Sequence, residues 1–259
     1  MVESGMPFTA SHIAAVIPLS RRPLVPSALV AGSMAPDLPY FVLLYPGGSE
    51  YTHTWWGMAV VDVPIALLAL LVYRVLLLEP AVALLPDAAR SRVAWLPAPR
   101  FGVAMVVSAL IGAATHLFFD GFTHEHHWGA ELFPALHHEI LSVPVYIWAQ
   151  ATSTLLGALI VAVWSVRKLS RMPRRPVPAR FAPPRRPALV RALVALCTVV
   201  FMASTLRGYV VEDVLAGVSI TAVTGTLTGL ALYGLWRRAR RRNGAEDRTA
   251  AEAADASRS

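Results

Sequence analysis

Charged residues are scarce in five stretches of this chain, about Gly57–Leu78, Phe101–Phe119, Val143–Val166, Ala188–Leu206 and Val214–Trp236. Each runs to about twenty residues, enough for a helix to cross the roughly 30 Å hydrocarbon core of a bilayer. The pattern predicts an all-α fold: a polytopic membrane helical bundle with about five transmembrane helices. Pro64 and Pro144 fall in or near opening turns, where a missing N–H costs least. The fourth and fifth stretches are rich in Ala, Gly, Ser and Thr, which let helices approach closely. Their Gly225/Gly229 pair is read as intrachain packing rather than a dimer contact.

The first third behaves differently. Pro7–Leu19 and Pro26–Tyr45 are apolar but short, and Pro18, Pro23 and Pro26 separate them. Pro36-Asp37-Leu38-Pro39 breaks the second in its middle. Short helices are expected here, packed against the bundle or re-entering it, because irregular backbone at membrane depth must be buried in protein or line a cavity.

Composition supports the membrane reading: 56% of residues are hydrophobic and 15% charged, with a mean hydropathy of +0.53. So little charge cannot cover a soluble surface. The net charge of +7 would suit nucleic acid, but the basic residues lie between and after the apolar stretches. No nucleic-acid partner is therefore expected; membrane lipid is. Arg167, Lys168, Arg171, Arg174, Arg175, Arg180, Arg185 and Arg186 follow the third stretch, and Arg237, Arg238, Arg240, Arg241 and Arg242 the fifth. The loop after the first carries Arg90, Arg92 and Arg100, whereas Asp120–Ser142 has no Lys or Arg. The positive-inside rule then puts the Arg-rich segments and the C-terminus in the cytoplasm and the loop after Phe119 outside, in a multi-pass protein of the cell membrane. Residues 1–242 read as one membrane domain, with a motif region at 6–56 and a solvated Pro/Arg-rich cytoplasmic linker at 167–187. Residues 243–259 read as a disordered tail. The lone Cys197 excludes an intramolecular disulfide and a cysteine-based zinc site. The N-terminus lacks the pattern of a cleavable signal peptide, so the first spanning helix is expected to direct insertion.

Ionisable residues that border or enter apolar segments are costly and usually functional. Here they are His12, Asp37, His53, His116 and Asp120. His116 and Asp120 stand four apart, on one face of a helix within a single turn. A pair at that spacing can bind one divalent ion, or the Asp can simply orient the His. With His12, Asp37 and His53 the inventory reaches three imidazoles and two carboxylates, which suits zinc, in one or two copies, or manganese. Zinc lowers the pKa of bound water toward about 7 and so supplies a nucleophile. His124, Glu125, His126, His127, His137, His138 and Glu139 follow in the outer loop. They read either as part of the site or as a polar interfacial loop, with His124 the favoured acid–base residue because it directly follows the His–Asp turn. Trp55 and Trp56 read as an interface belt. Glu212 is a lesser candidate to face the site.

Met6-Pro-Phe-Thr-x-Ser-His12, Gly32-Ser-Met-x-Pro-Asp37-x-Pro-Tyr, Tyr51-Thr-His53-Thr and His116-x-x-x-Asp120-x-x-Thr123-His resemble domain-of-unknown-function family 4184, a family of bacterial membrane proteins. The same order is similar to that of the LexA-regulated, membrane-bound metal-dependent hydrolases. The resemblance spans roughly Met6 to His124 and implies His12, Asp37, His53, His116 and Asp120 as metal ligands. The hydrolase group has a further His shortly before its Thr-His, where this chain has Ser49-Glu50-Tyr51, so Glu50 becomes a candidate substitute.

Together these readings favour a membrane-embedded, metal-dependent hydrolase acting on a lipid or amphiphilic substrate at the outer face. Metal-bound hydroxide would be the nucleophile, with His124 and Asp120 as catalytic groups. The alternatives are a membrane-bound lyase, transferase or cyclase acting on an isoprenoid lipid, and a non-enzymatic transporter or metal-handling protein. Transport predicts ionisable groups spread along a path, whereas these cluster at one face.

Overall fold

The structure is a computed structural model that describes residues 9–44, 49–97, 101–208 and 214–256. Among these residues, five helices are long and apolar enough to cross a membrane. Their outward positions carry large apolar side chains, such as Leu155, Leu156 and Leu159 on one helix and Leu193, Leu196 and Val199 on another. That exposed surface needs lipid, not water.

A 3-10 turn at Thr9–His12 leads into α1 (Ile13–Val16), followed by α2 (Pro26–Met34), α3 (Leu38–Leu43) and α4 (Ser49–Thr52). The first spanning helix, α5, runs from Trp55 to Leu84. A short α6 (Asp87–Val93) precedes the second spanning helix, α7 (Val103–Asp120). After α8 (Trp128–Leu132), a small antiparallel pair, β1 (Glu139–Ile140) and β2 (Val143–Pro144), leads into the third, α9 (Val145–Arg171). The last two are α10 (Pro187–Gly208) and α11 (Val214–Ala256).

The packing that positions the site is the crossing of α2 and α7. A Cβ on Gly32 would sit 2.0 Å from the Ala109 carbonyl oxygen, and one on Gly112 would sit 2.3 Å from that of Leu29. Only hydrogen fits at either crossing point, so backbone meets backbone. The Ser108 hydroxyl accepts from the Val25 N–H at 2.9 Å and pins the start of α2 to α7. α5 closes this layer, with Ala35, Val63, Ala66 and Ala109 in one buried cluster and Ala28, Leu70 and Met105 in another. On the other side Gly157 of α9 brings that helix against Ser11, where a Cβ would lie 2.8 Å away. Gly225 and Gly229 both face α10 of the same chain, against Thr198, Cys197 and Val194.

Several expectations need correction. α5 begins before Pro64, so that proline lies well inside the helix. Two π turns, Met58–Asp62 and Tyr73–Leu77, interrupt α5, and Pro64 and Pro80 follow them closely. A proline ring clashes with the carbonyl four residues back, and a widened turn just ahead relieves that clash. α9 continues through Arg171, so the linker starts later than residue 167. Most of its residues are exposed, and it is also docked against the bundle. Phe181 is buried with Val82 and Ala94. The Arg92 guanidinium donates to the Met172 carbonyl (3.2 Å) and the Trp95 indole to that of Pro176 (2.8 Å). Arg237 reaches the carbonyls of Ala182 and Arg180. A 3-10 turn at Ala179–Phe181 uses the carbonyls of Pro178 and Ala179, which leaves those of Met172, Pro176, Arg180 and Ala182 for the arginines and Trp95. Finally, the backbone of α11 stays helical to Ala256, past the expected end near residue 242, in keeping with the Ala-rich run Ala250–Ala254. Met6–Phe8 and Glu212 lie outside the described residues.

Candidate metal centre

His116 and Asp120 occupy the last turn of α7, and Asp37 sits in the break between α2 and α3. His53 follows α4, and His12 closes the first 3-10 turn. Four segments distant in sequence therefore meet at one end of the bundle. Asp37, His53, His116 and Asp120 each offer a ligand atom within 4.8 Å of all the others, a grouping that could hold a metal ion. The His116 Nε2 stands 3.0 Å from Asp120 Oδ2 and 3.5 Å from Asp37 Oδ1. The His53 Nε2 lies 3.5 Å from Asp37 Oδ1 and 3.6 Å from Asp120 Oδ2. His12 lies outside this group of four but is stacked on His116, ring centroids 4.0 Å apart. Its Nε2 is 3.4 Å from Asp120 Oδ1.

Two of these imidazoles, those of His116 and His53, are fixed in orientation from behind. His116 Nδ1–H donates to the Ser33 carbonyl at 2.9 Å. The Thr52 hydroxyl donates to the Pro36 carbonyl at 2.8 Å, so its oxygen must accept from His53 Nδ1–H at 3.1 Å. Each ring then turns its Nε2 toward the carboxylates, the arrangement found behind metal-binding histidines.

These atoms approach one another without forming good hydrogen bonds. His12 Nε2, His116 Nε2, Asp37 Oδ2 and Asp120 Oδ1 are buried and have no hydrogen-bond partner among the described residues. Ligands about 2.0–2.1 Å from a tetrahedral ion stand roughly 3.3 Å apart, a value that the nitrogen–oxygen separations of 3.0 to 3.6 Å here bracket. The donor set therefore fits a divalent cation. The alternative, two carboxylates buried with incomplete partners, costs several kcal/mol per charge, on the order of the stability of a whole domain.

His53, Asp37 and His12 lie off the spanning helices, and their protonation follows from their neighbours. Burial disfavours the charged form of His53, but the carboxylates of Asp120 and Asp37 outweigh it and hold its pKa up at about 9. Burial and then the charge of His116 push His12 down to about 4. Burial works against the Asp37 carboxylate, yet His116 and His53 hold it well below the usual range.

His124 stands apart from the four. Its Nδ1–H donates to the Asp120 backbone carbonyl (3.3 Å), and its Nε2 lies 3.5 Å from the Gln150 amide nitrogen of α9. His127, half-buried, stacks on His124 with ring centroids 4.9 Å apart and meets His53 edge-on at 6.2 Å. His126 is exposed beside Glu125, and His137 and His138 are exposed. Glu50 is exposed and outside the group of four. Trp55 and Trp56 are exposed at the start of α5. The sequence reading missed Asp62, which is fully buried within α5. The criterion that singled out Asp37, an acid inside an apolar run, applied to it equally. A groove of about 810 Å³ is lined by Leu159, Trp164, Arg167 and Arg171 among others. It flanks the arginine-rich end of α9, far from Gln150, and does not serve the cluster.

A family model described as a domain of unknown function, DUF4184, matches residues 6–235. No curated protein and no solved structure matches the chain.

Proposed function

This chain belongs to the DUF4184 family, whose description carries no activity, and from the site itself we propose a membrane-embedded, metal-dependent hydrolase acting on a lipid or other amphiphilic substrate. The observation that carries this reading is the convergence of Asp37, His53, His116 and Asp120, with His12 beside them, at nitrogen–oxygen separations of 3.0 to 3.6 Å. Zinc is the cation this mixture of imidazole and carboxylate suits, held by those residues, and when bound it would make water nucleophilic near neutral pH.

The remaining work falls to the chain's own groups. Asp120 has two parts: its carboxylate belongs to the metal set, and its backbone carbonyl fixes His124 through Nδ1–H. His124, so oriented with its hydrogen on Nδ1, takes a proton at Nε2 from the attacking water and passes it to the leaving group. Exposed aromatic side chains flank the ligands along the chain, Tyr51, Trp55 and Trp56 around His53 and Phe118 and Phe119 beside Asp120. They suit the boundary between acyl chains and headgroups. With the arginine-rich end in the cytoplasm, the cluster opens toward the outer leaflet of the cell membrane, and the substrate is a lipid reached from there.

The test is elemental analysis of detergent-purified protein, comparing the native chain with His116→Ala, Asp120→Ala and His124→Ala. Metal is expected in the native chain and in His124→Ala and is lost from the other two. A panel of phospholipids, acyl esters and phosphodiesters then reads hydrolysis, expected in the native chain and lost in all three variants. Negligible metal throughout would remove the reading. Bound metal without turnover would leave a metal-handling protein.

A further inference from the structure

The last turns of α9 carry a surface with two halves. Leu159, Val163, Arg167 and Arg171 stand four apart in one row, and Trp164 and Lys168 stand four apart in the row beside it. Side chains four apart share a helix face, so each row begins apolar and ends basic. Together with Met172, where the helix stops, these side chains line the groove of about 810 Å³. That volume falls in the range of about 300–1,000 Å³ in which proteins hold small ligands. Its lower edge is tied to α6: the Met172 carbonyl accepts from the Arg92 guanidinium at 3.2 Å, and the Arg175 N–H donates to the Ser91 carbonyl at 3.0 Å. The groove is therefore formed before anything enters it.

The basic half has no counter-charge of its own. From Ile140 to Val211 the chain contains no Asp or Glu. Arg167, Lys168 and Arg171 are exposed, and no ion pair among the described residues neutralises them. Glu79 and Asp87, the acids at this end of the bundle, pair instead with Arg241 and Arg90. The Lys168 ammonium lies over the Trp164 ring, 5.1 Å from its centroid. That contact holds one cation at the level where tryptophan marks the boundary between acyl chains and headgroups. An anion with an apolar tail satisfies both halves at once. A free anion would leave Leu159 and Val163 uncovered, and a zwitterionic headgroup would bring its ammonium against three like charges with no acid to receive it.

We propose that this groove binds an anionic phospholipid from the leaflet at the arginine-rich end of the bundle. Arg167, Lys168 and Arg171 hold its phosphate, and an acyl chain lies along Leu159 and Val163. The site is separate from the His/Asp cluster and does not depend on metal there. Its lipid is retained rather than turned over, because no His, Ser, Cys or acid lines the groove.

Native mass spectrometry of the full chain in detergent, titrated with phosphatidylglycerol or with phosphatidylcholine of the same acyl chains, provides the test. The native chain is expected to retain phosphatidylglycerol in preference to phosphatidylcholine. Neutralising the three groove cations together (Arg167→Gln, Lys168→Gln, Arg171→Gln) is expected to weaken phosphatidylglycerol binding on the order of 100-fold, roughly five-fold for each cation. Arg174, Arg175, Arg180, Arg185 and Arg186 remain in that variant to fix the orientation of the chain. Arg174→Gln, Arg185→Gln and Arg186→Gln together remove equal charge from the same segment outside the groove, and binding is expected to stay near native. Val163→Trp keeps every charge but fills the apolar half, and it is expected to weaken binding as well. Equal retention of the two lipids by the native chain, or equal loss in the two triple variants, overturns the groove as a lipid site. Native affinity in Val163→Trp overturns the placement of the acyl chain.

Discussion

Thr52 gives its hydroxyl proton to the carbonyl of Pro36 across 2.8 Å of buried space. That bond joins the segment carrying His53 to the segment carrying Asp37, and the same oxygen receives His53 Nδ1–H. Thr52→Val keeps shape and burial but removes both interactions. Metal affinity is expected to fall about 10–100-fold, the usual effect of losing the group behind a ligating histidine, while Thr52→Ser stays near native. Competition against a chromogenic chelator measures this. Equal affinity in Thr52→Val would show that the hydroxyl does not orient the ring.

The α2–α7 crossing sets the distance between Asp37 and His116. Gly32→Ala and Gly112→Ala each place a methyl group against backbone that cannot rotate away. Each is expected to cost at least about 1–3 kcal/mol and to reduce metal loading. Gly102→Ala meets nothing within 4 Å and should be silent. Thermal unfolding in detergent and metal content, read on the same samples, separate the three.

The five spanning helices were legible because lipid imposes one simple rule, an uninterrupted apolar length, on each. His12, Asp37, His53, His116 and Asp120 were legible because charge at the edge of such a length is costly. What brings them together is less visible: Gly32 and Gly112 are ordinary small residues until their crossing partners are known. Asp62 meets the same rule, as an acid within the first apolar stretch, so it too was legible in the sequence. His127 could not be chosen over His126 from sequence, since the two are adjacent and only the local turn decides which faces inward.

Phe181 anchors the Pro/Arg-rich segment by packing with Val82 and Ala94 at the end of the molecule opposite the histidines. Phe181→Ala is expected to lower stability by about 3–5 kcal/mol. Metal content should remain native, because no ligand touches this cluster. Limited proteolysis supplies the local readout: cleavage between Met172 and Pro187 is expected in Phe181→Ala and not in the native chain. Resistance equal to native would mean that the arginine contacts hold the segment without the ring.

Protons and metal ions compete for His53 Nε2. In the metal-free protein this ring has its pKa raised from 6.5 to about 9, so it is charged at neutral pH and its attraction to Asp37 and Asp120 stabilises the fold. That contribution is complete below about 6.5 and is lost as pH rises through about 9. The metal-free protein should therefore lose stability across that window. A bound cation replaces the proton and gains from its departure, so apparent metal affinity should rise with pH up to about 9. His12, with its pKa near 4, adds no competition in that window, and the depressed Asp37 carboxyl adds none either. His53→Gln removes one titrating ring, so the slope of log affinity against pH is expected to fall by about one proton per ion. Buffered zinc titrations between pH 6 and 9 on the native chain and the variant measure both slopes, and parallel lines would mean that metal does not displace a proton from His53.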